Sequence, residues 1–162
     1  MSWTALVVGT AISLLLSFMR PKEEAVYDRL VEISRKEDES LAYELNVEDV
    51  DDVKSIISKL KYYTNDFVDV VKSPRQTIQD GGGDCEDFAV LTYSLLDYLG
   101  LNPGIAIAYT PGDPEAHAFV FYPCQYCNKY YIFSNKDFFE ASSVEEAANM
   151  LGFEKVIYEK VY

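Results

Sequence analysis

The spacing of apolar and polar residues changes near the middle of the chain. In the first half, apolar side chains recur at helical intervals. Ala25, Val26, Leu30 and Ile33 follow Pro21, and a proline suits the first turn of a helix. A helix is therefore predicted from Pro21 to the charged run Arg35–Glu39. Val50, Val53, Ile57 and Leu60 form a second stripe behind Asn46, the expected cap. Glu48, Asp49, Asp51 and Asp52 lie at the positive end of its dipole, and Lys54, Lys59 and Lys61 toward the other end. Thr64 to Gln79 reads as a connection. A third helix must follow the glycines at 81–83, because Phe88, Ala89, Thr92, Leu95, Leu96 and Leu99 share one face. Gly100 is its expected C′ residue, and Pro103 blocks continuation.

The second half has the patterning of strands. Ile105–Tyr109, His117–Tyr122 and Tyr130–Asn135 are predicted strands, with turns at Pro111–Pro114 and Cys124–Cys127. A short helix over Ser143–Leu151 and a last strand over Lys155–Tyr162 complete the chain. Helices first and strands after, joined by short connections, predict an α+β fold with an antiparallel sheet.

Trp3 to Met19 carries no charge and stops at Arg20, Pro21 and Lys22. Seventeen residues are near the shortest helix that spans a bilayer. The region before them lacks the basic side chain of a cleavable signal, so the segment is read as an uncleaved single-pass anchor. Arg20 and Lys22 behind it would hold the globular part in the cytoplasm. The expected organisation is a membrane-anchor helix at 1–20 and one domain at 21–162.

Composition narrows the function. The formal charge is −13, which repels phosphate backbones and makes nucleic acid a poor partner. Three cysteines in 162 residues do not form a disulfide framework. The single histidine, His117, makes the search for an acid–base group short.

Cys85 stands in the first turn of the third helix, behind Gly81-Gly82-Gly83-Asp84. The helix dipole favours a thiolate there, and free backbone N–H groups could receive an oxyanion. Asp84 is a plausible cap, but Asp84, Glu86 and Asp87 oppose ionisation of the thiol, so a basic partner is needed. The competing view is a small buried cysteine packing a helix end. His117, at the start of a strand, supplies the imidazole of a thiol–imidazole pair.

Gly83-Asp84-Cys85-Glu86-Asp87-Phe88-Ala89 opening a helix, then His117-Ala118-Phe119-Val120 on a strand, resembles the transglutaminase-like superfamily of cysteine peptidases and acyltransferases. Ser73-Pro74 ahead of the cysteine fits the same pattern. The resemblance implies a papain-like core, about 73–137, in which a nucleophile helix packs on an antiparallel sheet. It implies a third catalytic member at the end of the strand after the histidine strand, usually Asp. Here that strand ends Ser134-Asn135-Lys136-Asp137. If Cys124 pairs with Cys127, His117 faces Ser134; one more loop residue makes it face Asn135; facing Asp137 requires a longer or bulged loop. Asn135 is chosen, with Asp137 in reserve. The Cys85 backbone is the expected oxyanion donor. Gln79 is a second candidate for that role, or a plain polar loop residue.

Cys124-x-x-Cys127 admits three readings: turn residues, a cross-strand disulfide, or half a metal site completed by another subunit. No metal or other cofactor is assigned. The leading function is acyl transfer through a Cys85 thioester with His117 as general base, as a peptidase or amidase acting on a protein or peptide. The alternative is a catalytically inactive binding or structural module of the same fold.

Overall fold

The computed structural model describes residues 22–35, 40–63 and 70–159. Helices α1 (Lys22–Arg35), α2 (Ser40–Glu44) and α3 (Val50–Lys59) come first. Strand β1 (Lys61–Tyr62), helix α4 (Pro74–Asp80) and strand β2 (Gly82–Gly83) lead into α5 (Cys85–Tyr98). Then follow β3 (Gly104–Tyr109), β4 (Ala116–Pro123), β5 (Tyr130–Ser134), β6 (Asp137–Ala141), α6 (Val144–Met150) and β7 (Lys155–Tyr158). The five long strands form an antiparallel sheet in the order β6-β5-β4-β3-β7. The short β1 and β2 pair in parallel. The α+β class with an antiparallel sheet is thus observed.

Alternation along β3 and β4 divides the core between the two sheet faces. Ile105, Ile107, Ala118 and Val120 join the cluster that contains α5. Ala106, Ala108, Phe119 and Phe121 join Val144, Ala147 and Ala148 of α6. Helix α5 is buried further round than a single stripe suggests: Phe88, Val90, Leu91, Leu95 and Leu96 are at most 1% exposed. Its neighbours α1, α3, α4 and β4 enclose it. Burial of each such side chain contributes roughly 1.5–3 kcal/mol, so the helix that carries Cys85 is rigidly seated.

Local chemistry sets the element ends. Asp49, not Asn46, caps α3: its carboxylate accepts the Asp52 N–H at 3.0 Å, and Asp52 reciprocates at 3.3 Å. Asn46 instead lies beyond the end of α2 with φ 54°, a left-handed conformation that Asn tolerates. The predicted connection contains α4. Ser73 Oγ accepts the Gln76 N–H at 3.2 Å, Pro74 occupies the first turn, and Gly81 ends the helix at φ 73°. Strand β6 is also additional to the expected set. It follows β5 after the two-residue turn Asn135-Lys136.

The membrane assignments are corrected. No helix among the described residues is long and apolar enough to cross a membrane. The longest, α1 and α5, have 14 residues each, about 21 Å at 1.5 Å per residue against about 30 Å of hydrocarbon. Residues 3–19, expected as the anchor, lie outside the described residues. The transmembrane helix, the membrane partner and the anchored location with a cytoplasmic domain are therefore withdrawn.

Candidate active site

The first turn of α5 is fixed by a capping box. Asp84 Oδ1 accepts the N–H of Glu86 at 3.0 Å and of Asp87 at 3.2 Å. Asp87 Oδ2 accepts the Asp84 N–H at 3.2 Å. Cys85 is the first residue inside this cap. Its backbone N–H remains a candidate oxyanion donor, whereas those of the next two residues are engaged by Asp84.

Electrostatics at the sulfur differ from the bare dipole argument. Burial pushes the Cys85 thiol up to about 11, and the Asp84 and Glu86 carboxylates add to the rise. Hydrogen bonding from the Ala118 backbone opposes it. Desolvation and two nearby carboxylates thus act against the thiolate that a helix N-terminus favours.

His117 sits near the start of β4, opposite Ala108 of β3. Its Nε2 lies 2.8 Å from Ser134 Oγ, at the end of β5. Its ring stacks on Phe153, with centroids 6.1 Å apart and planes 7° from parallel. Burial lowers the imidazole pKa below its ordinary value. Cys85, His117 and Ser134 line one cavity of about 630 Å³. Glu23, Asp84, Glu86 and Glu115 give it an acidic wall, and Val26, Ile107, Leu151 and Phe153 an apolar one.

The sheet register alone sets no residue opposite the histidine. Cys124 N–H donates to Lys129 O at 2.9 Å, Pro123 pairs with Tyr130, and the β4–β5 ladder ends at Val120 and Phe133. His117 lies beyond that ladder, and Ser134 reaches it through its side chain. Asn135 is in the β5–β6 turn at φ 51°, with Oδ1 buried and without a hydrogen-bond partner. Asp137 is exposed and pairs with Ser134 across the turn. Gln79 is exposed on α4, away from the cavity lining. Strand counting sets Ser134 opposite His117 only for the shortest loop, which is not the loop observed. Its hydroxyl at a strand end was the available signal.

Cys124 and Cys127 are joined by a disulfide at the β4–β5 tip, which leaves no thiol pair for metal. No group of three or more His, Cys, Asp or Glu side chains among the described residues could hold a metal ion.

The helix-borne cysteine and strand-borne histidine place this chain among α+β proteins with thiol and imidazole in one cleft. It belongs to the transglutaminase-like domain family, whose model matches residues 11–141. In fold it is similar to LapG of Legionella pneumophila, at 23% identity and TM-score 0.48, over 85% of this chain and 78% of LapG. It is also similar to a candidate cysteine protease from Cytophaga hutchinsonii, at 19% identity and TM-score 0.46. That match takes in 91% of this chain and 53% of the Cytophaga protein, about half its length. No curated protein sequence matches the chain significantly.

Proposed function

We propose that this chain is a cysteine-nucleophile acyl-transfer enzyme, a peptidase or amidase, working through Cys85 with His117 as general base. The domain is assigned to residues 21–162 and its catalytic core to about 73–137. The observation that carries the reading is the shared cavity of Cys85 and His117, in a chain of the transglutaminase-like family. Sγ attacks the carbonyl carbon of an amide while His117 takes the thiol proton. The Cys85 backbone N–H offers a hydrogen bond to the oxyanion. The carbon–nitrogen bond then breaks as His117 returns the proton to the leaving amine, which leaves a thioester. Water, deprotonated by His117, hydrolyses that thioester and regenerates the thiol. No cofactor enters this scheme.

A second reading, an inactive binding module, draws on the half-buried thiol and its acidic neighbours, which together raise its pKa to about 11. A chromogenic aryl ester separates the two. An enzyme should release a burst of p-nitrophenolate matching the chain concentration, with the acyl group on Cys85 by mass spectrometry. Cys85→Ala should abolish the burst, and His117→Ala should slow it by about 10²–10⁴-fold. A folded native chain without a burst, or a burst indifferent to His117→Ala, would leave the binding module.

A further inference from the structure

We propose that Ser134 is the positioning residue of this site, and that its hydroxyl holds His117 so that the resting pair is neutral thiol and neutral imidazole. Charge then separates only while an acyl group is under attack. This deepens the acyl-transfer reading and rests on it.

The geometry begins with Ser134 Oγ, 2.8 Å from His117 Nε2. Ser134 is only 4% exposed, so bulk water does not compete for the bond. A serine hydroxyl both donates and accepts. When it accepts from Nε2–H, the lone pair is on Nδ1, and Nδ1 can take the thiol proton. When it donates to Nε2, Nδ1 carries the hydrogen and cannot act as the base. A carboxylate in that place only accepts. It would fix the first tautomer and stabilise an imidazolium by its charge. The hydroxyl orients the ring without supplying that charge, and the ring's face meets Phe153, an apolar partner.

Among the described residues, the other groups around the cavity supply no cation to the thiol. Glu23 of α1, Tyr62 of β1, Asp84 at the cap of α5, Glu86 within it, and Glu115 before β4 face it. None is a cation, and no Lys or Arg is among the described residues that line the cavity. The carboxylates of Asp84 and Glu86 act against the thiolate, while burial shifts His117 toward its neutral form. Both directions favour an uncharged resting pair.

The test is the iodoacetamide alkylation rate of Cys85 against pH, in the full chain without reductant, read by mass spectrometry. Cys124 and Cys127 are held in their disulfide and do not compete. A neutral pair should show no plateau below about pH 8, with the rate rising about tenfold per pH unit as the thiolate fraction grows. Ser134→Asp should create a plateau and raise the rate near pH 6.5 by at least about tenfold. Ser134→Ala should leave the alkylation profile native-like but slow aryl-ester acylation by about tenfold or more, and Ser134→Thr should restore it. A plateau below about pH 8 in the native chain overturns the proposal. So does a folded Ser134→Asp with an unchanged profile, or a Ser134→Ala that acylates at the native rate. If Ser134→Asp does not fold, the native profile and the Ala/Thr pair decide. Loss of the aryl-ester burst would instead sink the enzyme reading, whereas a burst accompanied by a low-pH alkylation plateau sinks only this one.

Discussion

Asp87 Oδ1 accepts the backbone N–H of Lys72 at 2.7 Å, tying the segment before α4 to the first turn of the cysteine helix. The other oxygen closes the capping box on Asp84. A Cβ on Gly83 would overlap this carboxylate, which is why the residue before the cap is glycine. Lys72 extends the tie: its Nζ donates to Tyr63 Oη at 2.7 Å and to Gly82 O at 3.1 Å, and pairs with Asp80. Asp87 itself is 1% exposed. Asp87→Ala leaves two backbone donors without acceptors, each costing about 1–3 kcal/mol. The expected outcome is about 2–6 kcal/mol lower stability in urea, with aryl-ester acylation reduced because Cys85 is no longer held. A loss below about 1 kcal/mol would show that water or a neighbour replaces the carboxylate.

Gly83→Ala tests the same junction from the other side. The new methyl must displace the Asp87 carboxylate or the β2 backbone, at about 1–3 kcal/mol. Thermal melting should register a lower Tm, and the double variant with Asp87→Ala should lose less than the two single losses combined. Simple additivity would mean that the glycine and the carboxylate act separately.

Much of this junction was legible in the residues. Asp84 as cap, Cys85 in the first turn and Gly100 beyond the last turn follow from capping chemistry, which is local. The same chemistry is present at Ser73-Pro74 and Gly81, yet α4 does not stand out from its sequence because its seven residues are too few to show an apolar period. Strand β6 was missed for a related reason. Asn135-Lys136 is a tight turn only because Asn135 takes a positive φ, and a residue type does not announce that choice. The partner of His117 was the least legible feature. Cys124 meets Lys129 across the hairpin, a register that would carry His117 toward Lys136, but the ladder stops at Val120 and Phe133 and the Ser134 side chain reaches back to the ring, which strand counting does not show.

The pH dependence of stability should carry the mark of Cys85. Its thiol is raised from an ordinary 9.0 to about 11 in the fold. The folded state thus retains a proton that the unfolded chain releases, so this group's contribution falls as pH rises between those two values. At the upper end the loss approaches about 2–3 kcal/mol. Tyr122 and Tyr158 are raised to about 12 and act in the same direction, but they are common to native and Cys85→Ala proteins and cancel in the difference. Urea unfolding of both from about pH 8 to pH 11 should show a stability gap that moves steadily against the native protein. A flat gap would mean that the sulfur is solvated.

Asn135 combines a left-handed backbone with a buried, unpartnered Oδ1. Glycine adopts that backbone freely and removes the orphan acceptor, at the cost of a more flexible unfolded chain. Asn135→Gly is therefore expected to raise stability by up to about 1 kcal/mol. Asn135→Asp puts a charge where no donor waits and should lower it by more than that. In aryl-ester acylation Asn135→Gly should slow the chain less than Ser134→Ala does. The opposite order would return the orienting role to Asn135.

The disulfide between Cys124 and Cys127 closes a loop so short that its effect on the unfolded chain is small, about 2 kcal/mol by chain entropy. The tip has further support from the Cys124–Lys129 backbone bond and the Lys129–Glu140 ion pair at 2.9 Å. It also stands at the opposite end of β4 from His117, with the buried run Ala118–Tyr122 between them. Reduction should therefore lower the Tm by a few degrees and leave the rate of Cys85 acylation as it was. The rate must be read after the reductant is removed, because an added thiol would itself accept the acyl group. A marked fall in rate on reduction would mean that strain at the tip travels the length of β4 to the histidine, and the rigidity ascribed here to the two-faced core would be wrong.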